Sequence, residues 1–148
     1  MDGEVPKATR PPRDEHGKLL CSYCERPAVF QASSEGLYGG TDYGPVWLCP
    51  HCQAWVGCHE GRNKPLGRLA NKDLRQAKMA AHAAFDRLWL AKWRRERCHK
   101  NKARHAGYKW LASQLGIDGR VCHIGYMNAA MCRQVVEICR PYLNRRGR

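Results

Sequence analysis

The chain has 148 residues, enough for one domain or for a small module beside a modest core. Its 26 Lys and Arg outnumber 13 Asp and Glu, giving a formal net charge of +13. No apolar run approaches the ~20 residues that span a bilayer, and the start Met1-Asp2-Gly3-Glu4-Val5 is too acidic and polar for a secretory leader, so a soluble cytosolic protein with no membrane partner is the expectation.

Residues 1–18 carry Pro6, Pro11, Pro12 and Gly17 among mixed charges and read as a disordered tail. Residues 19–60 read as a small β module. Ala28-Val29-Phe30-Gln31-Ala32 suits a short strand, Ser33 to Gly44 is a polar, Gly-rich loop, and Val46-Trp47-Leu48 suits the returning strand. Pro45 belongs at its start, because proline cannot donate to a ladder. Ala54-Trp55-Val56 suits a third strand. Residues 61–70 form a Gly-rich linker, overlapping the loop Gly57 to Gly67. Such a loop can bring backbone N–H groups to a phosphate, although it matches no P-loop pattern and serves equally as a polar connector.

Residues 71–143 read as a basic helical region. In 71–93, Asn71 is placed as an N-cap, and Leu74, Ala77, Ala81, Phe85 and Leu88 recur at helical steps. Residues 103–115 form a second helix, with Gly107, Leu111 and Leu115 inward and Gly116 placed to end it in a left-handed turn. The piece 118–127 is irregular, with a candidate strand at Val121 to Ile124. Asn128 then caps a last helix whose inner face is Cys132, Val135, Val136, Cys139 and Leu143, and Pro141 ends or bends it. Residues 144–148 are a basic tail.

Nine cysteines, an odd count in a chain read as cytosolic, favour metal ligation over disulfides. Four of them stand in two tight doublets, Cys21-Ser22-Tyr23-Cys24 and Cys49-Pro50-His51-Cys52, with 24 residues between. Each Cys-x-x-Cys turn presents two sulfurs to one ion, and a hairpin brings the two turns together. One structural zinc at Cys21, Cys24, Cys49 and Cys52 is the expectation. A second site from Cys58, His59, Cys98 and His99 has irregular spacing. Cys132 and Cys139 read as small apolar fillers of a helix face.

Charge separates along the chain. Residues 1–60 hold five basic and eight acidic side chains, a balance of −3, whereas residues 61–148 hold 21 and five, a balance of +16. A polyanion would therefore be held by the C-terminal part. The candidate nucleic-acid contacts are Arg68, Lys72, Arg75, Lys92, Arg94, Arg95, Arg97, Lys100, Lys102 and Arg104. Trp89, Trp93, Tyr108 and Trp110 interleave with them and suit stacking on unpaired bases. DNA and RNA are not distinguished, and the sequence sets no oligomeric state.

A catalytic alternative is a metal-dependent nuclease using His59, His82, Asp86 and His123, which lie in three segments with no motif order. A further alternative is an adaptor or inhibitor that docks on a host protein.

Several motifs also carry a resemblance. Val46-Trp47-Leu48-Cys49-Pro50-His51-Cys52, Val56-Gly57-Cys58-His59, Pro65-Leu66-Gly67-Arg68-Leu69-Ala70, Ala81-His82-Ala83-Ala84-Phe85-Asp86, Trp110-Leu111-Ala112 and Cys122-His123-Ile124-Gly125 resemble, in order, a phage and prophage family described as a zinc-finger-containing domain. The likeness covers about residues 19–140. It implies a mobile-element protein made in a bacterial cytosol, and it implies no reaction. It adds weight to His59, Arg75, His82, Asp86 and His123 without giving them a role.

The sequence thus describes an α+β chain: an N-terminal zinc ribbon, a β-hairpin carrying four cysteine ligands, followed by a basic three-helix region. It is expected to act as a phage-type accessory protein that binds nucleic acid while zinc holds the shape.

Overall fold

A computed structural model describes residues 4–146, with side chains to Leu143. The chain forms two compact units. One spans Thr9–Asp73; the other takes the residues up to Ala8 together with those from Leu74 onward.

The first unit is built on a three-stranded antiparallel sheet, β1 (Val29–Gln31), β2 (Val46–Cys49) and β3 (Ala54–Gly57), in sequential order. Phe30 stands opposite Trp47 and Trp47 opposite Val56. The rings of Phe30 and Trp47 meet edge to face at 5.2 Å. Pro45 immediately precedes β2, where its missing N–H is harmless. The loop before β2 is organised by Asp42, whose carboxylate accepts from the N–H groups of Gly44 (2.8 Å) and Ser34 (3.2 Å). Those bonds, Gly44 first, hold its carboxyl below the usual range.

The Gly57–Gly67 segment is a continuation of the sheet. Leu66 N–H donates to the Gly57 carbonyl (2.9 Å) and His59 N–H to that of Lys64 (2.9 Å), while Trp55 and Ala70 exchange bonds of 3.0 Å. These bonds make the loop a hairpin extension of the sheet. The buried apolar residues of this unit are the cluster Leu19, Cys21, Cys49, Ala54, Val56 and Leu69, with Val46 and Ala70. Two of those eight are doublet cysteines and two are alanines, so the apolar content is too small to hold the unit by itself.

The second unit contains α1 (Lys72–Glu96, which begins two residues before the unit boundary), α2 (Lys100–Leu115) and α3 (Ala129–Arg146). Its buried face runs through Leu74, Ala81, Phe85, Tyr108, Leu111, Ile124, Met127, Cys132, Val135 and Cys139. Phe85 and Tyr108 pack with ring centres 4.5 Å apart. Helix α1 is longer than the pattern predicts. It closes on Arg97, which takes the left-handed conformation (φ 52°) and donates its N–H to the Trp93 carbonyl at 2.9 Å. An arginine therefore does there what glycine usually does. Helix α2 ends as expected: Gly116 is left-handed (φ 69°) and Ile117 N–H reaches back to Ala112 (3.1 Å), a Schellman closure.

Three expectations change. Val121 to Ile124 is no strand; two single 3-10 turns, Gly119–Val121 and Ile124–Tyr126, occupy the segment. The first is opened by Asp118, whose carboxylate accepts from Arg120 N–H at 2.8 Å, a local bond that competes with extended structure. Pro141 lies inside α3, so the helix does not end at it. The described part of the expected tail, residues 4–18, carries hydrogen bonds. Residues 5–8 run beside Met127 and Asn128, with an antiparallel bridge between Ala8 and Met127. Pro12 accepts from Leu20 N–H (2.9 Å), and the turn between them is tied by Asp14. The last two positions of the basic tail, Gly147 and Arg148, lie outside the described residues, as do residues 1–3. Among the described residues no helix is long and apolar enough to cross a membrane.

Candidate metal centre and basic surface

Each cysteine doublet is a tight turn closed by a left-handed residue. Cys21 N–H donates to the Arg26 carbonyl (2.8 Å) and Glu25 N–H to the Cys21 carbonyl (2.9 Å). Glu25 (φ 64°) and Gln53 (φ 52°) each follow the last cysteine of a doublet. A non-glycine residue in that region costs about 1–2 kcal/mol. At Glu25 this conformation turns the backbone so that the next N–H, that of Arg26, bonds the Cys24 sulfur, while Tyr23 N–H lies 3.4 Å from Cys21 Sγ. The hairpin formed by β2 and β3 carries Cys49 at its last β2 position and Cys52 in the connecting turn.

The four Sγ atoms all lie within 4.8 Å of one another, and those of Cys24 and Cys49 are 3.6 Å apart. Zinc–sulfur bonds of ~2.3 Å at tetrahedral angles put sulfurs ~3.8 Å apart, so the cluster has the spacing of one tetrathiolate zinc. It is far wider than a disulfide, and all nine cysteines are free.

The electrostatics agree. The Arg26 N–H lowers the Cys24 thiol to about 7. Burial first, then hydrogen bonds with Cys24 and Cys21, pushes Cys52 up to about 12. Burial also raises Cys21. Four sulfurs this close cannot all carry charge without a counter-charge, which a dication supplies. Among the described residues this is the group of three or more His, Cys, Asp or Glu side chains placed to share an ion.

The remaining cysteines are spread through the fold. Cys58–His59 lies in the zinc unit and Cys98–His99 in the helical unit. Cys122, Cys132 and Cys139 are buried, and burial raises Cys122 and Cys139 to about 11. They fill space in the core of the helical unit as small apolar side chains.

Of the ten predicted nucleic-acid contacts, seven cluster from the end of α1 into α2. Arg94, Arg95, Arg97, Lys100, Lys102 and Arg104 are exposed and Lys92 is half-buried. Lys92 pairs with Glu96 at 2.8 Å, and Arg95 reaches the same carboxylate at 3.9 Å. Glu96 is the single acid in the run. Lys100 Nζ lies over Trp93 (4.9 Å) and the Arg104 guanidinium over Tyr108 (5.0 Å). Lys72 is exposed at the start of α1, and Arg75 is half-buried and already engaged within the protein. Arg68 differs from all of these: it is 8% exposed, with its buried Nε making no hydrogen bond.

Sequence reasoning missed His105 and Lys109. With Arg104 and His123 they line a cleft of about 420 Å³, and among the described residues no carboxylate lines it. The four-residue step between them, one turn of α2, is the signal that places both on one face.

The four residues of the nuclease alternative all have places in the fold. His82 Nδ1 is 3.1 Å from the Lys78 carbonyl, and burial lowers its pKa against the opposing pull of Asp86. Asp86 accepts from Trp89 Nε1 at 2.8 Å. The His123 ring packs on Tyr108 (5.3 Å) and Tyr126 (5.1 Å). His59 is exposed in the hairpin of the zinc unit.

A three-stranded ribbon with a tetracysteine centre, followed by three helices, defines an α+β protein with one structural zinc. The chain belongs to a family described as a zinc-finger-containing domain, whose model matches residues 18–142. No curated protein and no solved structure matches it.

Proposed function

We propose that this protein is a phage- or prophage-encoded accessory factor of the bacterial cytosol that binds nucleic acid through its helical unit, with zinc holding the ribbon in shape. One observation carries the reading. Seven cations from Lys92 to Arg104, six of them exposed, face a single carboxylate. They belong to a segment, 74–148, with 17 basic and four acidic side chains, a balance of +13, whereas solubility needs a net charge of only ~2–8 for a small domain, so an excess of this size calls for a polyanion. Neutralising phosphates releases counterions, which makes such binding steeply salt-dependent. The mobile-element setting rests on the motif resemblance.

The test is a salt titration of binding to single-stranded, duplex and branched DNA and to RNA. Micromolar or tighter binding with a steep negative salt slope supports the reading. No binding at low salt removes it and favours a host-protein adaptor. Cleavage that requires Mg²⁺ or Mn²⁺ and is lost in His82→Ala would replace it with the nuclease.

A further inference from the structure

The helical unit also contains a groove of about 490 Å³, four of whose ten lining residues are aromatic. Trp89, Trp110 and Tyr142 line it together with Lys92 and Arg95, which share the Glu96 carboxylate. Trp110 and Tyr142 meet at 5.4 Å with their planes 89° apart, so they form a right-angled corner. A flat ring stacked on one of them lays its edge against the face or rim of the other. The Trp89 ring is fixed by its bond to Asp86. At the floor, Gly107 lets α1 and α2 approach: a Cβ there would stand 3.1 Å from Phe85 Cζ and from Trp89 Cβ.

We infer that this groove accepts one unpaired nucleobase of a single strand, with the adjoining phosphates on Lys92 and Arg95. The inference deepens the nucleic-acid reading and rests on it. Two features select a nucleobase over an apolar peptide. The volume suits a small planar ligand and is at the lower end of ligand pockets. The charged residues lining the groove are both basic, in a segment 74–148 with 17 basic and four acidic side chains. Every base has a π face, so such a site tolerates sequence while requiring an unstacked base. Duplex DNA, whose bases are stacked, enters poorly.

The experiment compares the wild-type protein on three probes of equal phosphate count: a single strand, the same strand with abasic sites, and the duplex. The expected result is about tenfold weaker binding of the abasic strand, the contribution of one stacked base, with the salt slope unchanged. Tyr142→Ala alters a side chain that is 38% exposed, so the fold survives, and it should abolish the difference between normal and abasic strands. Equal binding of the normal and abasic strands overturns the groove and leaves the nucleic-acid reading standing. Discrimination that persists in Tyr142→Ala also overturns it, placing the base elsewhere. Failure of all three probes to bind overturns both.

Discussion

Asn128 Nδ2 donates to the carbonyl of Val5 at 2.8 Å, joining positions 123 residues apart. The same side chain caps α3, its Oδ1 accepting from Met131 N–H (3.0 Å) and from Lys7 N–H (3.2 Å). Its own N–H donates to the Lys7 carbonyl at 3.0 Å. One side chain, 1% exposed, thus starts a helix and fastens the N-terminal segment to it.

Asn128→Ala should therefore cost more than an ordinary cap. A lost N-cap is worth ~1 kcal/mol, and the loss of the part-buried bond to the Val5 carbonyl adds ~0.5–1.5 kcal/mol. Urea unfolding should show a loss of about 1.5–2.5 kcal/mol. Removing residues 1–8 should lower stability as well, and the two changes together should cost less than their sum, because they delete the same bonds. Strict additivity would show that the segment and the cap act independently.

The zinc centre makes a sharper claim. Elemental analysis should find one zinc per chain, and Cys49→Ser should lose it together with the fold of the ribbon. Structural zinc contributes ~10 kcal/mol or more of apparent free energy, as much as the whole stability of a typical domain. The small apolar core around Cys21 and Cys49 cannot replace that. A zinc-free Cys49→Ser protein with native near-ultraviolet circular dichroism would falsify the structural role.

His82 gives a pH dependence of known sign. Burial lowers its pKa below 6.5, with Lys78 and Arg104 acting in the same direction and Asp86 and the bond to the Lys78 carbonyl opposing them. The unfolded chain then binds the proton first as pH falls. Its contribution is complete above pH ~6.5 and declines as pH drops from there towards the folded-state value. NMR titration of the ring should give a pKa under 6.5, and His82→Gln should flatten the stability profile in that window. A ring pKa above that ordinary value would reverse the sign and refute the argument.

How far the sequence foretells this molecule depends on the distance over which each interaction acts. The zinc centre is legible because two ligands of each pair are separated by two residues, and their spacing is a covalent fact. Gly116 and Asn128 are legible because caps are local. The role of residues 4–8 is not, since their partner lies more than a hundred positions away and the bonds run mainly to backbone. The hairpin from Gly57 to Gly67 is hidden for a related reason: ladder bonds leave no side-chain pattern. Arg68 shows the limit of counting charge, for the same residue type is buried there and exposed at Arg94.

Gly107→Ala tests the packing of α1 on α2. Alanine is intrinsically the better helix former by about 1 kcal/mol. Here its Cβ would sit 3.1 Å from Trp89 Cβ, an atom held by its own backbone, and 3.1 Å from the buried Phe85 ring. Overpacking of that kind costs ~1–3 kcal/mol, so the net effect should be destabilising in urea unfolding. A stabilised variant would mean that the helices separate more easily than the contact implies.

Arg97 allows folding and binding to be pulled apart. It holds φ 52° at the end of α1, a conformation that glycine adopts without strain. Arg97→Gly should therefore raise stability by ~0.5–1 kcal/mol. The same change removes one exposed cation from the run between Lys92 and Arg104. If that side chain contacts a phosphate, the slope of log affinity against log salt should become shallower by about 0.7–0.9. Higher stability with a shallower slope is the expected pair of results. An unchanged slope would exclude Arg97 from the interface, and lower stability would show that the arginine side chain supports the turn by contacts beyond its backbone.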